Sequence, residues 1–97
     1  MAIRVICITQ EVTSDPEHLA SISTLGWEND VYPHNKGRWT REQMYDFLIR
    51  GGAAYVRDSR NEVAVLTHAV SSLGTKYVKT KPDYTKRDNL LSLPPCV

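Results

Sequence analysis

The sequence predicts an α+β fold: a single small domain in which two helices cover one face of an antiparallel sheet of three to four strands. Three observations carry this expectation. The stretch from Arg38 to Asp58 reads as a capped amphipathic helix, a glycine stop and a strand. The amino-terminal residues form a β-branched run. The second half of the chain holds two further alternating segments set off by turn residues. The predicted order is strand, helix, helix, strand, strand, strand.

Ile3 to Thr9 is rich in β-branched residues and apolar at most positions, as expected of a strand inside the sheet. Gln10 to Ser14 is a polar connection. Asp15-Pro16-Glu17 carries the signals of a helix start: a capping residue, a proline for the first turn and an acid beside it. Leu19, Ile22 and Leu25 can share one helical face, Gly26 closes the segment, and Trp27 is placed to fold back on its last turn. Asn29, Asp30, Pro33, Asn35 and Gly37 then make Glu28 to Gly37 a loop.

Thr40 and Gln43 stand in the Thr-x-x-Gln form of a capping box, with Trp39 and Met44 spaced for a hydrophobic staple. Met44, Tyr45, Phe47, Leu48 and Ile49 cover a broad apolar arc, opposite Glu42, Gln43, Asp46 and Arg50. Gly51 suits the left-handed position that ends a helix. The period then changes, and Ala53 to Asp58 reads as a strand. Ser59-Arg60-Asn61 connects it to a hairpin partner, Glu62 to His68. Ser71 to Gly74 turns the chain into a fourth strand, Thr75 to Thr80, and short turns make these last three an antiparallel meander. Lys81-Pro82-Asp83-Tyr84 breaks the pattern, and residues 88–97, with three leucines, are expected as a docked carboxy-terminal tail of the single domain 1–97.

Ninety-seven residues suit one domain. No apolar run approaches the ~20 residues that span a bilayer, and the amino terminus lacks a signal-peptide pattern, so the expectation is a cytoplasmic protein without a membrane partner. Cys7 and Cys96 are too few for a disulfide framework, and Cys7 is expected to pack as a small core residue. The charge is uneven beneath a formal net of +1. Residues 1–33 carry one arginine against five acids, whereas residues 75–97 carry five Lys/Arg against two acids. Such unevenness suits an anionic partner, although a solvated basic face accounts for it as well.

Four segments stand in one order and spacing: Gly37-Arg38-Trp39-Thr40-Arg41-Glu42, Gly51-Gly52-Ala53-Ala54-Tyr55-Val56-Arg57-Asp58, Gly74-Thr75-Lys76-Tyr77-Val78-Lys79-Thr80 and Asp88-Asn89-Leu90-Leu91-Ser92-Leu93-Pro94. Together they resemble a family of small bacterial proteins catalogued as a domain of unknown function. The similarity runs from Ile3 to Cys96, and the Asn-Leu-Leu-Ser-Leu-Pro ending is its most specific part. Family members commonly carry Asp-Gly between the last strand and the tail, where this chain has Asp83 followed by Tyr84. The resemblance implies no activity, cofactor or catalytic residue.

A catalytic signature is absent from the residues themselves. His18, His34 and His68 do not match a paired-ligand spacing, and no Cys-x-x-Cys accompanies them, so neither a metal nor another cofactor is expected. Cys96 near a histidine is the one thiol arrangement to consider for covalent chemistry, and it lacks the local marks of an activated nucleophile. Asp58, Asp83 and Asp88 lie in or beside turns, where carboxylates commonly bond to nearby backbone N–H groups. Gly51-Gly52 follows a helix, whereas a phosphate-binding loop precedes one.

The sheet offers more. Tyr55-Val56-Arg57-Asp58 and Tyr77-Val78-Lys79-Thr80 each place an aromatic and a cation on one side of a strand. On an open face, Tyr55, Arg57, Tyr77 and Lys79 would combine stacking platforms with positive charge, the combination that binds single-stranded nucleic acid. Lys76, Lys81, Lys86 and Arg87 would extend the footprint. Both tyrosines also suit strand packing against the helices. A second surface comprises Trp27, Tyr32, His34, Arg38 and Trp39, with Lys36 among them; its aromatics and arginine suit a partner or small ligand, and capping logic lets both tryptophans pack instead. The expected function is a non-enzymatic binding or accessory module of a bacterium or its mobile elements, taking single-stranded nucleic acid or a nucleotide. The alternatives are a protein-interaction or self-assembling subunit, a homo-oligomer using an edge strand or the leucine tail, and an enzyme with a small substrate bound near Asp58, His68 or Cys96.

Overall fold

In the computed structural model, residues 2–16, 18–57, 63–81 and 90–96 are described. The strands are β1 (Ala2–Gln10), β2 (Ile22–Asn29), β3 (Lys36–Thr40), β4 (Ala53–Arg57), β5 (Val63–Val70) and β6 (Lys76–Thr80). One α-helix, α1 (Arg41–Ile49), lies between β3 and β4. The strands form one six-stranded mixed sheet of order β3-β2-β1-β4-β5-β6. Every pairing is antiparallel except that of β1 with β4, which is parallel.

This corrects the expected α+β domain of two helices on a three- to four-stranded antiparallel sheet. The helix expected after Asp15 is a single 3-10 turn, His18–Ser21, and the residues that follow are β2. The spacing of Leu19, Ile22 and Leu25 suits a helical face, but Ile22-Ser23-Thr24 disfavours helix and suits a pleated surface. Gly26 and Trp27 are therefore strand residues and not a helix stop. The expected loop shortens at both ends, because β2 runs to Asn29 and β3 begins at Lys36. With β3 polar and at the sheet edge, its alternation of exposed and half-buried residues leaves little hydrophobic pattern.

The capping box and the glycine stop of α1 form as expected, whereas Ile49 of the expected apolar arc is exposed. The Thr40 hydroxyl accepts from the Gln43 N–H at 3.2 Å, and the Gln43 side chain accepts from the Thr40 N–H at 2.9 Å. Gly51 ends the helix at φ +93°, where a side chain would be strained. Trp39 packs against Phe47, with ring centroids 5.1 Å apart. The β4-β5-β6 meander also forms as expected.

The core lies between the sheet and α1. Ile3, Val5 and Ile8 of β1 meet Leu25, Val56, Leu66 and Val78 from other strands and Met44 from the helix. A bulge between Val5 and Cys7 makes this possible. With Ile6 as the extra residue, both Val5 and Ile8 reach the core, while Cys7 turns to the other face beside Gly26. The far end of the meander is held to the start of the chain by the Ser71 hydroxyl, which donates to Asp15 at 2.5 Å.

Leu90 is fully buried in the same core, with Leu91 and Leu93 packed partly against it. The chain then runs beside β1: the Ile8 N–H donates to the Pro94 carbonyl at 3.1 Å, and the Cys96 N–H donates to the Ile8 carbonyl at 3.0 Å. Cys7 and Cys96 are joined by a disulfide across 89 residues, with Cα atoms 5.0 Å apart. Cys7 is thus not a free core thiol, and Cys96 is not a candidate nucleophile. The turn and tail features expected at Glu17, Asp58 to Glu62 and Pro82 to Asn89, among them Asp83, Asp88, Lys86 and Arg87, lie outside the described residues.

Candidate functional site

The sheet face opposite α1 is organised by register. Lys36 stands beside Glu28, Glu28 beside Arg4, Arg4 beside Tyr55 and Tyr55 beside Val65. The Lys81 N–H donates to the Val65 carbonyl at 2.7 Å, which carries the row past β6. Side chains alternate across a strand, so a residue in this row faces away from the core when its neighbours face inward. The burial pattern agrees: Ile3, Val5, Ala54 and Val56 are buried, while Arg4 and Tyr55 between them are half-buried. Val63 and Val65 are exposed on this side.

Tyr55 is the centre of the row. Its hydroxyl donates to the Asp30 carboxylate, and the Arg57 guanidinium lies 5.7 Å from its ring centroid. Partial burial, with the bond to Asp30 adding to it, raises the Tyr55 pKa above its usual 10.0, and Arg57 acts in the opposite direction. Asp30 is positioned by its neighbour, since the buried Asn29 side chain accepts from the Val31 and Tyr32 N–H groups, both at 2.9 Å. Arg4 pairs with Glu28 at 3.8 Å. These groups line a polar hollow of about 320 Å³, whose walls include Arg4, Asp30, Tyr55 and Arg57.

A second, larger groove of about 550 Å³ lies at the disulfide. Its walls are Ile6, the Cys7–Cys96 disulfide, Gly26, Trp27, Gly37, Pro94 and Pro95, with Lys36 and Arg38 bringing positive charge from β3. Arg38 stands beside Gly26, and Gly26 beside Cys7.

Of the residues expected to form one binding face, Tyr55, Arg57, Tyr77, Lys79 and Lys81 fall on one side of the sheet by register, and Lys76 falls on the other. Tyr55 and Arg57 are together, and Lys81 ends their row. Tyr77 is buried and stands beside Ala69, and Lys79 stands beside Thr67. Val65 and Ala69 are four positions apart on β5, so the two tyrosines are about 13 Å apart along the strand direction and do not form a continuous platform. Lys76 is on the helix side, 5.4 Å from the Tyr45 ring centroid.

The second expected surface is also divided. Trp27 is buried and Trp39 half-buried, with ring centroids 4.6 Å apart, and both pack on the helix side. The Trp27 Nε1 is buried without a hydrogen-bond partner. Tyr32 and His34 stand edge to face in the exposed loop, 6.2 Å apart, while Arg38 and Trp27 both line the disulfide groove. Sequence reasoning does not single out Arg4, Asp30 or Glu28. The signal that could have found them is Arg4 itself, a lone charge inside an apolar strand.

His68 packs against Tyr45 with ring centroids 5.4 Å apart. Among the described residues, no three His, Cys, Asp or Glu side chains gather as metal ligands would. Among them, too, no helix is long and apolar enough to cross a membrane.

Fold and face together define a small, mostly sheet domain with one helix and a charged face that the helix leaves uncovered. The model of the family described as protein of unknown function (DUF3892) matches residues 4–94, and the chain belongs to that family. No curated protein and no solved structure matches the chain.

Proposed function

We propose that the protein is a non-enzymatic binding module of the bacterial cytoplasm that takes an anionic partner, single-stranded nucleic acid or a nucleotide, on the open sheet face. The cross-strand row that centres on Tyr55 carries this reading. It sets an aromatic ring beside Arg4 and Arg57, with Lys81 two strands away on one side, Lys36 three strands away on the other, and Glu28 and Asp30 as the acids of the row. Stacking on one aromatic contributes on the order of 1–3 kcal/mol per base, and the surrounding cations add a salt-dependent attraction. The footprint is smaller than the one expected from sequence, because Tyr77 is buried and Lys76 faces the helix.

Titration of labelled DNA and RNA oligonucleotides and of free nucleotides at low salt tests the reading. Binding is expected to weaken as salt rises. Arg4→Ala with Arg57→Ala is expected to weaken it for every sequence and flatten the salt dependence by about one unit of slope for each phosphate deprived of its cation. An absence of binding to all of these probes at low salt removes the proposal.

The rival reading, self-assembly, draws support from β6, which ends the sheet as an edge strand. Its other element is weaker, since Leu90 of the tail is committed to the chain's own core. An oligomer in solution that ignores every anionic probe would favour it.

A further inference from the structure

The Cys7–Cys96 bond does not lie in the core. Both cysteines are half-buried, and both form part of the wall of the 550 Å³ groove, which opens to solvent. The groove falls in the size range of small-molecule sites. Its described walls carry two cations, Lys36 and Arg38, and no acid. Gly26 leaves the row from Arg38 to Cys7 without an intervening side chain. We infer that this groove is a thiol–disulfide exchange site for a small anionic thiol.

The chemistry fits the charge. The attacking species in exchange is a thiolate, and the departing sulfur also leaves as a thiolate. Nearby cations stabilise thiolates, and a cleft of one sign raises the local concentration of the opposite one. In the first step the incoming thiolate bonds to one sulfur of the pair. The Cys7–Cys96 bond breaks, and its electron pair leaves on the other cysteine, which takes a proton from water. In the second step another thiolate attacks the small-thiol sulfur of this mixed disulfide and releases the second cysteine. Two small thiols are thereby oxidised by two electrons to their disulfide, and the protein bond is reduced to two thiols.

Exchange also touches the architecture. The bond secures the segment that hydrogen-bonds to Ile8 through Pro94 and Cys96, so its cleavage frees one wall of the groove from its covalent anchor.

The test uses the folded, oxidised full chain and three thiols: glutathione as the anionic one, 2-mercaptoethanol as the neutral one and cysteamine as the cationic one. Release of protein thiols is followed by alkylation and mass measurement, with rates compared at equal thiolate concentration. Glutathione is expected to react about tenfold faster than cysteamine, with 2-mercaptoethanol between them. Lys36→Ala with Arg38→Ala is expected to remove most of that difference, while Lys36→Arg retains it. Both side chains belong to exposed residues of an edge strand, and a far-ultraviolet circular dichroism spectrum checks that the double variant folds. Equal rates for the three thiols would overturn the inference, as would an order unchanged in the double variant or reduction only as fast as global unfolding. None of these readouts involves an oligonucleotide, so the outcome is independent of the binding function proposed above.

Discussion

The Tyr55 hydroxyl donates to the Asp30 carboxylate, fastening the centre of the open sheet face to the first residue after β2. Asp30 raises the Tyr55 pKa while Arg57 lowers it, within a net upward shift caused first by burial. Asp30→Asn is therefore expected to bring the phenol back toward 10.0, and Arg57→Ala to move it further up. Ultraviolet absorbance of the phenolate during an alkaline titration separates the two. The sign also sets a stability window. With a folded value above the unfolded one, the contribution is fully present below the unfolded pKa and is lost as pH rises through the folded pKa. Asp30→Asn should narrow that loss, and a shift of both variants in one direction would contradict the arrangement.

Gly26 has a different task. A Cβ at this position would collide with the Cys7 sulfur and lie 3.1 Å from that of Cys96. Gly26→Ala is expected to destabilise the oxidised protein by about 1–3 kcal/mol, the usual cost of overpacking, or to leave the thiols unbridged. Thermal unfolding and a thiol count read the two outcomes. In a Cys7→Ser, Cys96→Ser background, the same substitution should cost much less, and the difference is the coupling between glycine and disulfide.

Thr40 closes the capping box at the start of α1. Thr40→Ala should cost about 0.5–2 kcal/mol in urea unfolding, because N-terminal N–H groups of the helix lose a partner. Gln43→Ala removes the reciprocal half of the box, so its effect should not add fully to that of Thr40→Ala.

Features whose causes are local are readable in the sequence. Thr40, Gln43 and Gly51 specify α1 within one short stretch, and alternation in β4 and β5 is set by neighbours two residues apart. β2 escapes such a reading because its apolar spacing is common to helix and strand, and its place between β1 and β3 adds to the weak local preference of Ile22-Ser23-Thr24. The disulfide joins residues 89 apart, a proximity that no local pattern encodes. The candidate site is half visible for the same reason. Parity places Tyr55 and Tyr77 each on one side of its strand, but the burial of Tyr77 and the meeting of Arg4 with Tyr55 come from packing and from a parallel pairing between distant strands.

The disulfide also fixes how the molecule bears force. Tension applied outside Cys7 and Cys96 passes straight through one covalent bond, and the 89 residues of separation between them carry no load. The oxidised protein is in that sense inextensible. Once the bond is reduced, the same pull falls first on the two backbone hydrogen bonds that hold the tail to Ile8. A single two-electron event therefore converts a rigid mechanical link into one that can be unravelled.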